Sequence, residues 1–203
     1  LSLGSIYALI ALGYTMVFGI LQLINFAHGD VYMLGAFIGM YMARFMKLDE
    51  NPSAGGLFIA LGAAMLGCAI VGFLIERIAY RPLRKAPRIN LLITAVGVSL
   101  FLEFSGQLIF GADPKFFPQI FTIEGDFSFG ELRINPLQMI VLVISIVLMV
   151  ILQTVIFKTR IGRAMRATSY SHDLASLMGI PTDRVISFTF MVGSALAGAA
   201  GVL

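Results

Sequence analysis

The chain has 203 residues, 59% of them hydrophobic and 12% charged, with a net charge of +3 and a mean hydropathy of +0.94. A soluble domain carries about a quarter charged residues, so the composition points to an integral membrane protein and excludes a soluble module. The net charge gives no argument for nucleic acid, and no nucleic-acid partner is expected, because the basic residues flank apolar runs instead of forming a patch. The single cysteine, Cys68, lies within an apolar run and leaves no intrachain disulfide to form.

About 20 apolar residues cross the hydrocarbon core as one helix, and runs of that kind fall at Leu1–Ile24, Val31–Phe45, Gly56–Ile75, Leu91–Phe110, Leu137–Phe157 and Val185–Leu203. The expected fold class is all-α, a polytopic transmembrane helical bundle forming a single membrane domain over residues 1–203. Leu1 is not Met and "SALAGAAGVL" is still apolar at Leu203, so the expectation is a fragment whose membrane domain continues past 203. A signal peptide is not expected, since neither a charged flank nor a cleavage site is present.

The first span carries Gly4, Ala8, Ala11, Thr15, Gly19, Gln22 and Asn25 on one helical face. Small residues on such a face suit close helix packing. "LINFAHGDVYMLGA" then places Asn25, His28, Gly29 and Asp30 between two apolar runs. An Asp at the centre of a span costs roughly 2.5–3.5 kcal/mol on insertion scales. The following run, Val31–Phe45, reaches only about 22 Å as a helix, short of the ~30 Å core. A broken or re-entrant helix near residues 25–45, with its polar groups lining a cavity, is one reading. A short interfacial turn with those groups in water is the other. In the fourth span Ser99, Glu103 and Gln107 recur every four residues, and Glu103 is either a cavity contact or a neutral packing residue.

Two connections are basic. Residues 76–90 hold Arg77, Arg81, Arg84, Lys85 and Arg88, and residues 158–184 hold Lys158, Arg160, Arg163, Arg166 and Arg184. The alternate connections hold Asp49, Glu50, Asp113, Glu124, Asp126 and Glu131 beside fewer basic residues. By the positive-inside rule, 76–90 and 158–184 face the cytoplasm. Residues 111–136 read as a compact external loop with room for a short hairpin.

Within 158–184, Ser171 is placed to cap a short helix, Asp173 suits its N-terminal dipole, and Gly179 supplies a left-handed stop before Pro181. That helix presents Leu174, Leu177 and Met178 either to a soluble partner or to lipid. Gly193, Ala197 and Gly201 form a small-residue packing seam in the last span. Phosphate-binding Gly-x-x-x-x-Gly-Lys-Ser/Thr, metalloprotease His-Glu-x-x-His and nucleophile Gly-x-Ser-x-Gly patterns do not occur. No catalytic, cofactor-binding or metal-ligating residue is therefore assigned, and the chain is expected not to be an enzyme.

"GSIYALIALGYTMVFGILQLINFAHGDVYMLGA", "ERIAYRPLR" and "IGRAMRATSYSHDLASLMGIPTDRVISFTF", in that order, resemble the permease subunit of bacterial branched-chain amino acid ABC transporters of the high-affinity leucine/isoleucine/valine type. The resemblance covers essentially the whole chain. Asp173, Leu174, Ala175 and Gly179 also have the spacing of the Glu-Ala-Ala-x-x-x-Gly loop by which such permeases engage their ATPases. The second Ala is kept, Asp replaces Glu, and Leu174 departs from the pattern.

The resemblance implies an inner-membrane importer. Its partners are a second related permease subunit, two cytoplasmic ATPase subunits that bind the ATP, and a periplasmic substrate-binding protein. It makes 158–184 the coupling loop, with Ser171, Asp173, Leu174, Ala175, Leu177, Met178 and Gly179 as contacts. The substrate pathway is expected along Thr15, Gln22, Asn25, His28, Gly29, Asp30 and Glu103. Similar permeases serve urea and short amides. The rival is an ion-coupled secondary transporter or channel with Asp30 or Glu103 as its proton-coupled acid. An intramembrane enzyme lacks a recognisable nucleophile or metal set.

Overall fold

A computed structural model describes residues 1–22, 24–48, 54–84, 86–117, 127–129, 132–134 and 136–203. Lys85, the acidic pair Asp49 and Glu50, and the Pro118–Asp126 part of the external loop lie outside the described residues. The elements in chain order are α1 (Ser2–Leu21), α2 (His28–Phe45), α3 (Ala54–Ile75), α4 (Arg88–Phe110), β1 (Phe127–Phe129), β2 (Leu132–Ile134), α5 (Pro136–Lys158), α6 (Arg160–Tyr170), α7 (His172–Leu177) and α8 (Thr182–Val202). The two strands pair antiparallel, Phe127 opposite Ile134, within the 111–136 connection of an all-α bundle.

Among the described residues, five helices are long and apolar enough to cross a bilayer: α1, α3 with its continuation to Leu83, α4, α5 and α8. The chain is a multi-pass membrane protein. Helix ends follow local chemistry. Pro136 opens α5 at a position where a missing N–H costs nothing, and Pro87 and Pro181 stand just before α4 and α8. Below α3 the helix widens into a π turn, Glu76–Tyr80, then tightens into a 3-10 turn, Arg81–Leu83, that contains Pro82.

Helix α8 is the centre of the bundle and packs on α1, α2 and α3. Its buried face includes Ile186, Phe190, Gly193, Ala197, Gly198 and Ala200. The seam expected at Gly193, Ala197 and Gly201 is present, and Gly198 extends it. A Cβ on Gly35 would come within 2.5 Å of the Gly198 Cα, and one on Gly201 within 2.6 Å of the Tyr32 carbonyl oxygen. In lipid, where apolar burial gives helices little reason to associate, such close backbone approach is a main source of packing energy.

The expected packing face of α1 is displaced. Leu9, Gly13, Val17 and Ile20 are its buried residues. Ala11, Thr15 and Gly19 are exposed, and a Cβ on Gly4 or Gly19 would meet nothing within 4 Å. The small-residue stripe lies beside the true contact line, which uses one glycine and three large side chains.

Helix α2 starts at His28, three residues earlier than the apolar run suggested, so His28, Gly29 and Asp30 form its first turn. Residues 158–184 fold as two helices instead of one. Thr159 caps α6 by accepting from the Gly162 N–H at 3.0 Å.

Candidate functional site

Two regions hold the expected functional residues, and both are built around helix ends. The first is the break between α1 and α2. Helix α1 stops at Gln22, whose φ of 54° and ψ of 31° are left-handed and whose N–H donates to the Phe18 carbonyl at 2.7 Å. A non-glycine residue there is uncommon. The residue that turns the chain out of the helix is therefore Gln22, whereas Gly29 is helical and a Cβ on it would meet nothing within 4 Å.

The chain then turns back into the bundle. The His28 Nε2 lies 3.2 Å from the carbonyl oxygen of Ile10, halfway along α1. Ser99, at the midpoint of α4, donates its hydroxyl to Asp30 Oδ2 at 2.5 Å. The first turn of α2 thus sits level with the middles of α1 and α4. From there α2 runs to the end where α8 finishes, with Gly39 against Val202.

Burial separates these polar groups. Asn25 is 5% exposed and His28 2% exposed, whereas Asp30 is half-buried and Gly29 exposed. This is not the placement of a solvated turn. Asn25 Oδ1 accepts from the Tyr80 hydroxyl at 3.0 Å. His28 Nδ1 is buried with no hydrogen-bond partner among the described residues, an unusual state for a buried polar atom. Tyr14 meets the His28 ring edge-on at 5.9 Å.

The other expected pathway residues stand apart. Thr15 lines an open groove of about 240 Å³ between α1, α5 and α6, with Met16, Leu152, Met165, Arg166 and Ser169. Asp30 instead faces α4. Glu103 is exposed one turn beyond Ser99, and Gln22 is exposed at the end of α1. The structure therefore groups Asn25, His28 and Asp30, with Ser99 added, and leaves Thr15, Gln22 and Glu103 outside that group.

The second region is the short helix α7. Ser171 Oγ accepts from the Leu174 N–H at 3.3 Å, and Asp173 lies in the first turn. Gly179 has φ +79°, and the Ile180 N–H reaches back to the Ala175 carbonyl at 3.0 Å. This is the left-handed stop that the sequence called for. Ala175 is buried, while Leu174, Leu177 and Met178 are 55%, 82% and 84% exposed. Three apolar side chains are thus presented outward on a capped, six-residue platform.

A charge network joins the two basic connections and was not foreseen. Asp183, in the first turn of α8, accepts from Arg81 at 2.7 Å and from Arg84 at 2.5 Å. Arg84 also pairs with Glu76, whose side chain is fully buried. Ser187 donates to Glu76 at 2.5 Å. These contacts place residues 76–84 and the start of α8 at the same end of the bundle, as the alternation of basic and acidic loops requires. The only sequence signal was a lone acid, Glu76, at the head of an arginine-rich loop.

Known proteins give a consistent match. The family model for the permease component of branched-chain amino acid transport systems matches residues 1–203. The high-affinity branched-chain amino acid transport permease LivH of Salmonella typhimurium is 40% identical over 210 residues, covering 100% of this chain and 67% of its own length. The permease BraD of Pseudomonas aeruginosa is 40% identical over 211 residues, with the same coverage of each chain. A probable permease LivH of Methanocaldococcus jannaschii is 26% identical, over 98% of this chain and 62% of its own. No solved structure matches.

Proposed function

Since the chain belongs to the family of branched-chain amino acid transport permease components, we propose that it is a translocating subunit of an ATP-driven importer for leucine, isoleucine and valine. The observation that carries this reading is the match along the whole chain to permeases of that transport system. The importer resides in the bacterial inner membrane, with residues 76–90 and 158–184 in the cytoplasm. It works with a second related permease subunit, two ATPase subunits that bind ATP, and a periplasmic binding protein.

The break between α1 and α2 forms the gate of the pathway. Polar and ionisable groups inside a bilayer are costly, face the bundle interior or a water-filled cavity, and mark substrate pathways. The mid-depth grouping of Asn25, His28 and Asp30 supports such a cavity, with Gly29 leaving room beside it. Gln22 sets the direction of the returning chain, while Thr15, on the α5 and α6 side of α1, and Glu103, exposed one turn beyond Ser99, lie outside this gate. Helix α7 is the coupling platform. Leu174, Leu177 and Met178 enter an ATPase groove, Ser171 and Asp173 cap and orient the helix, buried Ala175 seats it, and Gly179 fixes the angle at which the chain leaves for α8.

The test is uptake of labelled leucine into proteoliposomes containing the full-length permease pair, with and without the ATPases, ATP and binding protein. Uptake that needs all of these supports the proposal. Uptake driven by a proton gradient without ATPases would favour the ion-coupled reading, and uptake of urea instead of leucine would change the substrate.

A further inference from the structure

Between the start of α8 and the break lies a set of contacts through one irregular turn, and the short stretch 178–181 joins α7 to it. At the cytoplasmic end, Asp183 is two residues past Pro181, directly after the platform, and holds both Arg81 and Arg84. Arg84 and Ser187 converge on fully buried Glu76. A buried ion pair of this kind is costly to break, because a lost partner leaves an uncompensated charge. The first turn of α8 and residues 76–84 are therefore tied as one unit.

Glu76 is also the first residue of the π turn, and Tyr80 is its last. Tyr80 is 1% exposed, packs its ring against Phe190 of α8 at 5.2 Å, and donates its hydroxyl to Asn25 in the break at 3.0 Å. One five-residue turn thus takes the charge contacts at one end and holds the gate at the other.

We propose that the π turn Glu76–Tyr80 is the relay of the transporter, with Asp183, Arg84 and Glu76 passing displacement of α7 to Tyr80, and Tyr80 positioning Asn25. A π turn holds one residue more than the α-helical register around it. Reverting to α geometry turns the side chains that follow by about 100° around the axis, which would withdraw Tyr80 from Asn25 and pull Arg81 and Arg84 against Asp183, so that the two sets of contacts change together. The relay thus requires two discrete arrangements of the turn, of which the π one is that of this structure. Tyr80 and Asp183 are positioning residues, neither touching substrate nor nucleotide. The inference rests on the importer reading.

The experiment compares wild type, Tyr80→Phe, Asp183→Asn and the double variant in the reconstituted full complex. Basal ATP hydrolysis and its stimulation by leucine-loaded binding protein are both measured. Tyr80→Phe keeps the ring against Phe190 and removes only the hydroxyl, and Asp183→Asn keeps the shape at an accessible site. Basal hydrolysis should stay at the wild-type rate, while each single variant loses stimulation by about fivefold or more, the lower end of typical allosteric coupling. The double variant should lose no more than the worse single, since both cut one chain of contacts, and Asp183→Glu should restore stimulation.

Wild-type stimulation in both singles overturns the relay, and so do losses that multiply in the double variant. Equal loss of basal and stimulated hydrolysis reduces these residues to a structural role and also overturns it. A wild-type complex with no ATP-dependent uptake would instead overturn the importer reading itself.

Discussion

Gly13 of α1 and Gly193 of α8 meet backbone to backbone, each so close that a Cβ on Gly13 would lie 2.8 Å from the Gly193 carbonyl oxygen. His28 packs on the same spot, its Cε1 3.0 Å from that Cβ position. Helix packing and the position of the break are therefore set at one point. Gly13→Val should destabilise the bundle by about 1–3 kcal/mol, the usual cost of overpacking, whereas Gly4→Ala and Gly19→Ala should not. Thermal unfolding in detergent distinguishes them, and a tolerated Gly13→Val would contradict the packing described.

The left-handed residue in the break gives a second prediction. Gln22→Gly should be neutral or stabilising, because glycine adopts φ near +54° without cost. Gln22→Ile should be less stable than Gln22→Gly by about 1–2 kcal/mol, because a side chain bears the left-handed penalty that glycine escapes and β-branching adds to it. Thermal unfolding of the two variants checks the order, and equal stability would mean that α1 does not end at Gln22.

Membrane orientation can be tested with Cys68 replaced by Ala. A cysteine at Phe116, which is 87% exposed beyond α4, should react with an impermeant thiol reagent added outside intact cells. One at Tyr170, also 87% exposed at the end of α6, should react only after permeabilisation. The reverse pattern would invert the topology and remove α7 from the cytoplasm.

The grouping at the break predicts that Asp30→Leu and Asn25→Leu each abolish leucine uptake without lowering complex yield. Ser99→Ala should weaken uptake less, since it removes a donor and leaves the carboxylate. A double-mutant cycle between Ser99→Ala and Asp30→Asn should show an interaction of at least about 0.5 kcal/mol, as expected of contacting residues. Normal uptake in both leucine variants would remove the break from the pathway.

Much of the fold was legible because run length alone marks a membrane helix, and charge parity orders the loops. Ser171 and Gly179 were legible as caps, since each has a specific backbone task that few residues perform. What escaped has a physical reason. Every face of α1 is apolar or small, so periodicity could not tell the stripe at Gly4, Ala11 and Gly19 from the line at Leu9, Gly13 and Val17 that α8 covers. Helix α6 is polar on one side and lies outside any apolar run. Glu76 read as one residue of a charged loop, because its partner Ser187, and the Asp183 that holds its other partner Arg84, come beside it only when α3 and α8 are side by side.

The central claim is that α7 connects this chain to an ATPase. It is tested most directly by the ATP hydrolysis that leucine-loaded binding protein stimulates in proteoliposomes of wild type and Gly179→Val. Gly179 has φ +79°, which a β-branched side chain resists, and it lies outside the membrane helices. The account predicts that Gly179→Val inserts and assembles with its permease partner, yet shows little stimulated hydrolysis and little uptake. Full stimulation and full uptake in Gly179→Val would contradict it.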